Sequence, residues 1–186
     1  MDTNMNFFWG ANNRRANYIP VSGTITQMQR MPSSGNGYGG CTKMITVEDE
    51  GGGITNFFIT PATYVVDFET LYEGLPVIVF YNGNLPAPMI YPPQFMAAVI
   101  ALQKEGQMVT VDFFDQNLLA ADQSLQLNLD ANIDIVTANN QLFVGSPGGH
   151  TLIVIYSRTT RSIPPQTTKS EGQAVLGRQD LITTPW

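Results

Sequence analysis

The chain has 186 residues, 43% of them hydrophobic and only 13% charged, with a net charge of −6. That length holds one domain, or a domain with a small appended module, and a core that needs neither disulfide nor metal. The negative total argues against a general phosphate-backbone binder, the single cysteine excludes an intramolecular disulfide, and no apolar run approaches the ~20 residues that cross a bilayer. The charge is unevenly spread. Residues 1–40 carry Arg14, Arg15 and Arg30 against Asp2; residues 41–134 carry Lys43 and Lys104 against twelve carboxylates; residues 135–186 carry four cations against Glu171 and Asp180. Basic ends thus flank an acidic middle, either as a solvated surface with polar tails or as ends that dock on another copy's middle. Low charge with many small polar residues suits a β protein covered by neighbours, and equally a neutral-surfaced monomer.

Residues 1–17 show neither helical nor strand period, and surround the cluster Phe7-Phe8-Trp9 with asparagines. The segment buries too little to fold alone and reads as an N-terminal arm. Its three aromatics, each worth ~1.5–3 kcal/mol when buried, must pack on their own fold or on another subunit. No basic stretch precedes an apolar run here, so no secretory signal is expected and the protein is expected to be soluble when made.

A first strand is predicted from Tyr18 to Met31, with Val21, Ile25 and, as a further candidate, Met28 inward and Gly23 marking a sharp bend or a close backbone approach. The Gly-rich stretch 32–40 lacks the Lys-Ser/Thr of a P-loop and reads as a connection. Cys41 follows it and is expected to be a small buried hydrophobe. Met44–Asp49 and Ile54–Thr60 form a predicted hairpin, with Glu48-Asp49-Glu50 as solvated turn acids rather than ligands. Tyr64–Asp67 reads as strand and Glu69–Glu73 as a helical turn closed by Gly74. Val77–Tyr81 is apolar throughout and hence a buried strand; Pro86, Pro88, Pro92 and Pro93 stiffen the passage to a last strand, Phe95–Leu102.

This order of a Gly-containing first strand, a meander hairpin, an apolar strand and a closing strand resembles the OB-fold, a five-stranded partly open Greek-key barrel. The resemblance covers about 85 of the 186 residues and is one of pattern. The whole chain is also similar to uncharacterised proteins of spore-forming Firmicutes, through Tyr18-Ile-Pro-Val-Ser-Gly, Ile90-Tyr-Pro-Pro-Gln and Thr160-Arg-Ser-Ile-Pro-Pro-Gln-Thr-Thr. That similarity implies no activity.

A second β module is predicted over 106–160. Met108–Phe114 alternates, Leu118–Ala121 returns, Leu125, Leu127 and Leu129 share one face of a strand, Ile133–Thr137 pairs with Gln141–Val144, and Thr151–Tyr156 is buried. Residues 161–186 read as a polar C-terminal tail, apolar only at 174–176, 181–182 and Trp186. The expected fold is therefore all-β: arm 1–17, OB-like five-stranded barrel 18–105, second β module 106–160, tail 161–186.

Chemistry is sparse. His150, in a Gly-rich turn, is expected to be solvent-exposed rather than catalytic, since no strained G-x-S-x-G elbow accompanies it. Asp112/Asp115 and Asp130/Asp134 lack the spacing of a calcium loop. Tyr38, Phe57, Phe58 and Tyr81 are candidates for stacking on bases or sugars, with core packing as the simpler reading. No catalytic residue, metal site or cofactor is assigned. The expected function is a non-catalytic structural subunit that assembles with itself into a filament or ring, with Phe7, Phe8, Trp9, Arg14, Arg15 and Trp186 as subunit contacts. The alternative is an OB-type binding module for an oligosaccharide, a peptide or a single-stranded nucleic acid, the last disfavoured by the acidity. An extracellular or spore-surface location is expected, with the cytoplasm as the alternative, and no membrane insertion.

Overall fold

The structure, a computed structural model, describes residues 15–31, 40–129, 135–157, 159–167 and 174–176. Two sheets build it. In the first, β1 (Tyr18–Arg30), β2 (Lys43–Glu48), β3 (Ile54–Ile59), β5 (Pro76–Asn82) and β6 (Gln94–Leu102) pair in a ring, closed by a parallel β3–β6 contact; β4 (Tyr64–Val65) adds an edge to β6.

The 13-residue β1 belongs to both halves of the ring: its residues 18–24 pair with β5 and its residues 24–30 with β2. The transfer is made at Gly23 and at an irregularity between Ile25 and Gln27. A Cβ at Gly23 would overlap the Glu48 carbonyl oxygen and lie 2.7 Å from its carbon, so the close backbone approach expected of this glycine is present. The β2–β3 hairpin turns on Asp49, whose Oδ1 accepts the N–H groups of Gly51 and Gly53, both at 2.8 Å. The acidic run thus includes a turn-forming side chain.

Val77, Val79, Ala97 and Ile100 point into the ring with Ile25, Ile45, Val47 and Phe57. The alternate residues Phe80, Val99 and Ala101 point outward and meet Val111, Ile153 and Ile155 of the second sheet. With both faces covered, β5 and β6 need apolar residues at every position, which is why they read as unbroken apolar runs.

The second sheet has the order β7-β9-β10-β8, from β7 (Met108–Phe114), β8 (Ile135–Thr137), β9 (His150–Tyr156) and β10 (Ala174–Leu176). Its other face packs Phe114, Leu152 and Val154 on Ala120, Leu125 and Leu127. The two leucines share a face as predicted, but Gln126 makes only single bridges to Leu119 and Gln166, so no regular strand forms there. The predicted hairpin about 138–140 is formed, with Thr137 N–H donating to Gln141 O and Phe143 N–H to Ile135 O, both 2.8 Å.

Four expectations are corrected. The tail from 161 does not stay apart: residues 174–176 lie between β9 and β8, and Thr167 is buried with its Oγ1 accepting from Asn128 N–H at 2.9 Å. Short apolar runs within a polar segment suffice for this because an existing sheet supplies the partners. The helical turn falls at Val66–Phe68, not 69–73, because Asp67 and Phe68 take left-handed conformations directly after β4. Cys41 is exposed, in the turn that leads into β2. His150 is half-buried rather than solvent-exposed.

Two predictions follow from this packing. Gly23→Ala drives a Cβ into backbone that cannot yield. It is expected to cost about 3 kcal/mol and to lower the melting temperature by roughly 10 °C, read by thermal denaturation. Tyr18 packs against the cluster between the sheets, and burial pushes its phenol up to about 12. A raised folded value means that the stabilising neutral form is complete below pH 10 and lost as pH rises towards 12. Melting curves between pH 9 and 12 should therefore show a fall in stability that Tyr18→Phe reduces, by at most about 2 kcal/mol given the ring's partial exposure.

Candidate functional site

Of the predicted contact residues, Arg15 is described; Phe7, Phe8, Trp9, Arg14 and Trp186 lie outside the described residues, as do Tyr38, Asp130 and Asp134. Arg15 sits where the N-terminal segment joins the fold. Its guanidinium lies 4.2 Å from the centroid of the Phe113 ring on β7, a cation–π contact with the second sheet. Its carbonyl accepts from Asn84 Nδ2 at 2.8 Å, and the Asn17 carbonyl accepts from Gly83 N–H at 2.8 Å. The arm's root is thus tied to the loop that joins β5 to β6.

That loop, residues 83–93, carries four exposed large hydrophobic residues of the described chain. Met89 is fully exposed, Tyr91 84% exposed, and Ile90 and Leu85 about half so. It carries no charged residue and four prolines. Its base is fixed by Asn82, whose Oδ1 accepts Asn84 N–H at 3.0 Å and whose carbonyl accepts Leu85 N–H at 3.1 Å. The prolines give the sequence signal for this feature: three large apolar residues held between Pro-rich flanks have no strand to join.

A second surface lies further along β6, beside Ala97 to Ile100. A cleft of about 750 Å³ opens between β4 with its following turn and the turn after β8. Pro61, Ala62, Tyr64 and Phe68 form its apolar side, and Glu69 and Asn139 its polar one. Phe68 meets Tyr64 edge-on with centroids 6.0 Å apart, yet remains 62% exposed. Two successive non-glycine residues hold this ring in place at positive φ, Asp67 at 58° and Phe68 at 53°, with Asp67 anchored to Lys104 Nζ at 3.1 Å. Burial and then the Asp67 charge raise the Tyr64 phenol above its usual range. No sequence signal marks the cleft, because its two sides are more than sixty positions apart.

The remaining candidates are used structurally. Phe57 is fully buried and lies within about 6 Å of Tyr81 and Phe95, which stack at 3.9 Å. The core-packing reading therefore applies to Phe57. His150 Nδ1 lies 3.1 Å from Gly148 O and 3.3 Å from Pro147 O, so it carries the proton and donates to this turn. Asp115 Oδ1 accepts the N–H groups of Asn117 and Leu119, at 2.8 and 3.0 Å. Asp112, raised above the usual carboxylate range by burial, accepts from Phe113 N–H at 2.7 Å and Asp122 N–H at 3.2 Å. These acids hold the loop after β7. The described residues hold no group of three or more His, Cys, Asp or Glu side chains placed to bind a metal ion, and none of their helices is long and apolar enough to cross a membrane.

Comparisons with family models, with curated proteins and with solved structures found no match to this chain.

The strain at Phe68 generates a prediction. A glycine adopts φ near +53° without steric cost, and the ring lost from Phe68 is mostly exposed. Phe68→Gly is therefore expected to raise stability, by about 1 kcal/mol or roughly 2–4 °C in a thermal melt. A fall in melting temperature would mean that the ring contributes more by packing than its backbone costs.

Proposed function

We propose that this chain is a non-catalytic structural subunit that assembles with copies of itself through its N-terminal arm. The observation that carries the proposal is the uncharged, exposed apolar loop Leu85–Tyr91, set where residues 15–17 join the fold. Contiguous apolar surface of this kind marks contact sites on proteins that are otherwise well packed. The arm that reaches a neighbour is residues 1–14, with Phe7, Phe8 and Trp9 as apolar anchors, Arg14 facing the acidic middle of the next copy, and Trp186 as a further contact. Arg15 instead fixes the arm's root on its own second sheet. A head-to-tail contact of this kind yields a ring if the rotation closes and a filament if it does not. An extracellular or spore-surface setting, with the cytoplasm as the alternative, is part of the proposal and rests only on the resemblance of three short stretches to proteins of spore-forming Firmicutes.

A second reading is supported by the strand order. Five strands, β1, β2, β3, β6 and β5, pair in a ring with β3 and β6 parallel, and such a ring supports reading the chain as an OB-type binding module for an oligosaccharide, a peptide or a single-stranded nucleic acid.

Removal of residues 1–14, which spares Arg15–Asn17, separates the two. Under the first reading the truncated protein keeps its β spectrum but elutes as a monomer from a sizing column, and Phe7→Ser/Phe8→Ser/Trp9→Ser does the same, since it deletes several kcal/mol of burial at ~1.5–3 per side chain. Unchanged particle size after truncation sinks the assembly role of the arm. Raising salt from 0.1 to 1 M is expected to weaken assembly only slightly, because burial holds the contact and the end charges merely orient it.

A further inference from the structure

The reading of self-assembly leaves open what part of the next copy is engaged, and two surfaces of this fold fit one another. We propose that the loop Leu85–Tyr91 of one copy seats in the cleft between β4 and the β8 turn of the next. This rests on the self-assembly reading and adds to it a contact that does not involve the arm.

The loop enters β6 at Gln94, whereas the cleft's Thr63 donates to Ala97 O and β4 pairs with Val99 and Ile100. At about 3.3 Å per residue, roughly 10–20 Å of extended strand separates the two surfaces. One copy thus presents loop and cleft as two distinct patches, which is what a heterologous, propagating contact requires.

The chemistry of the two sides agrees. A segment that enters an apolar cleft must not carry unpaired donors with it. Pro86, Pro88, Pro92 and Pro93 have no N–H, and those of Leu85 and Ile90 already donate within the hairpin, to Asn82 O at 3.1 Å and Pro88 O at 3.0 Å, which leaves the N–H groups of Ala87, Met89 and Tyr91 for the cleft's polar side, Glu69 and Asn139, to accept. No charge lies between Gly83 and Pro93 to be desolvated. The receiving side offers Ala62, Pro61 and the Tyr64–Phe68 pair, and aromatic-lined grooves are favoured seats for proline-stiffened segments, which lose little freedom on docking. Phe68 is held over the cleft by a strained backbone, exposed and without a full set of packing partners, as a ring that awaits one would be.

Area sets the strength. Tyr91 alone offers roughly 150–250 Å². With Met89, Ile90, Leu85 and the prolines between them, the loop approaches the roughly 600 Å² per partner at the low end of specific interfaces. Such a contact is weak by itself and becomes effective when a second link, the arm, holds the same neighbours together.

The test uses the full chain in sedimentation velocity over a hundredfold concentration range. The loop variant is Met89→Asp with Tyr91→Ser; the cleft variants are Phe68→Asp and, as an independent exposed position, Ala62→Arg. Melting curves within a few degrees of the parent establish that each is folded. Loop and cleft variants should each weaken association at least tenfold, and an equimolar mixture of one with the other should enrich a two-copy species beyond either alone, because one intact loop then meets one intact cleft. If the parent assembles and every variant assembles equally well, the loop-in-cleft contact is overturned while the arm reading stands. If the cleft variants weaken assembly and the loop variant does not, the cleft belongs to another segment, the arm foremost, and the contact is again overturned. A parent chain that is monomeric at all concentrations overturns both readings.

Discussion

The structure depends on two strands, β5 and β6, being covered on both faces. Inward, Val77, Val79, Ala97 and Ile100 close the interior of the five-stranded ring; outward, Phe80, Val99 and Ala101 form the floor on which Val111, Ile153 and Ile155 rest. With burial worth roughly 1.5–3 kcal/mol per large apolar side chain, this shared hairpin joins the two sheets more strongly than any polar contact between them. It also sets the geography of the surface. The loop caps one end of the hairpin, the cleft lies further along β6, and the second sheet, docked on its outer face, supplies one wall of the cleft through the β8 turn.

Polar groups in this fold mostly secure turns. Asp49, Asn82, Asp115 and Thr137 each accept or donate within a few residues of themselves, and among the described residues no buried side-chain nitrogen or oxygen lacks a partner. Among the described residues Asp67, Phe68, Leu118, Gln123 and Asn140 take left-handed conformations that a glycine would hold more cheaply, and of these Asp67 and Phe68 are consecutive. Strain of this sort persists where the surrounding structure over-determines it. Here β4 pins one side through its parallel pairing with β6, and Lys104 pins the other through Asp67.

Much of the strand content was legible because its signals are local. Period-2 patterning gave β1 to β3, unbroken apolar runs gave β5, β6 and β9, and Gly23 announced the close approach of β1 to Glu48. The misplaced elements depend on distant partners. Ala174–Leu176 is too short to be read as a strand and becomes one because β8 and β9 leave a slot between them. Leu125 and Leu127 alternate as a strand should, yet find only isolated bridges. Residue type alone puts Cys41 in the core, and its place in a turn beside a Gly-rich connection leaves it exposed. Neither candidate surface is read from the sequence: the prolines around Met89-Ile90-Tyr91 read only as a stiff passage between strands, and Tyr64 and Asn139 share a cleft that no local pattern encodes.

Self-assembly is the central claim, and electron microscopy of the purified full-length protein tests it most directly. The account predicts rods or rings with a repeat set by one copy, at concentrations where the association is complete. A uniform field of particles no larger than one folded copy, at every concentration imaged, would contradict it.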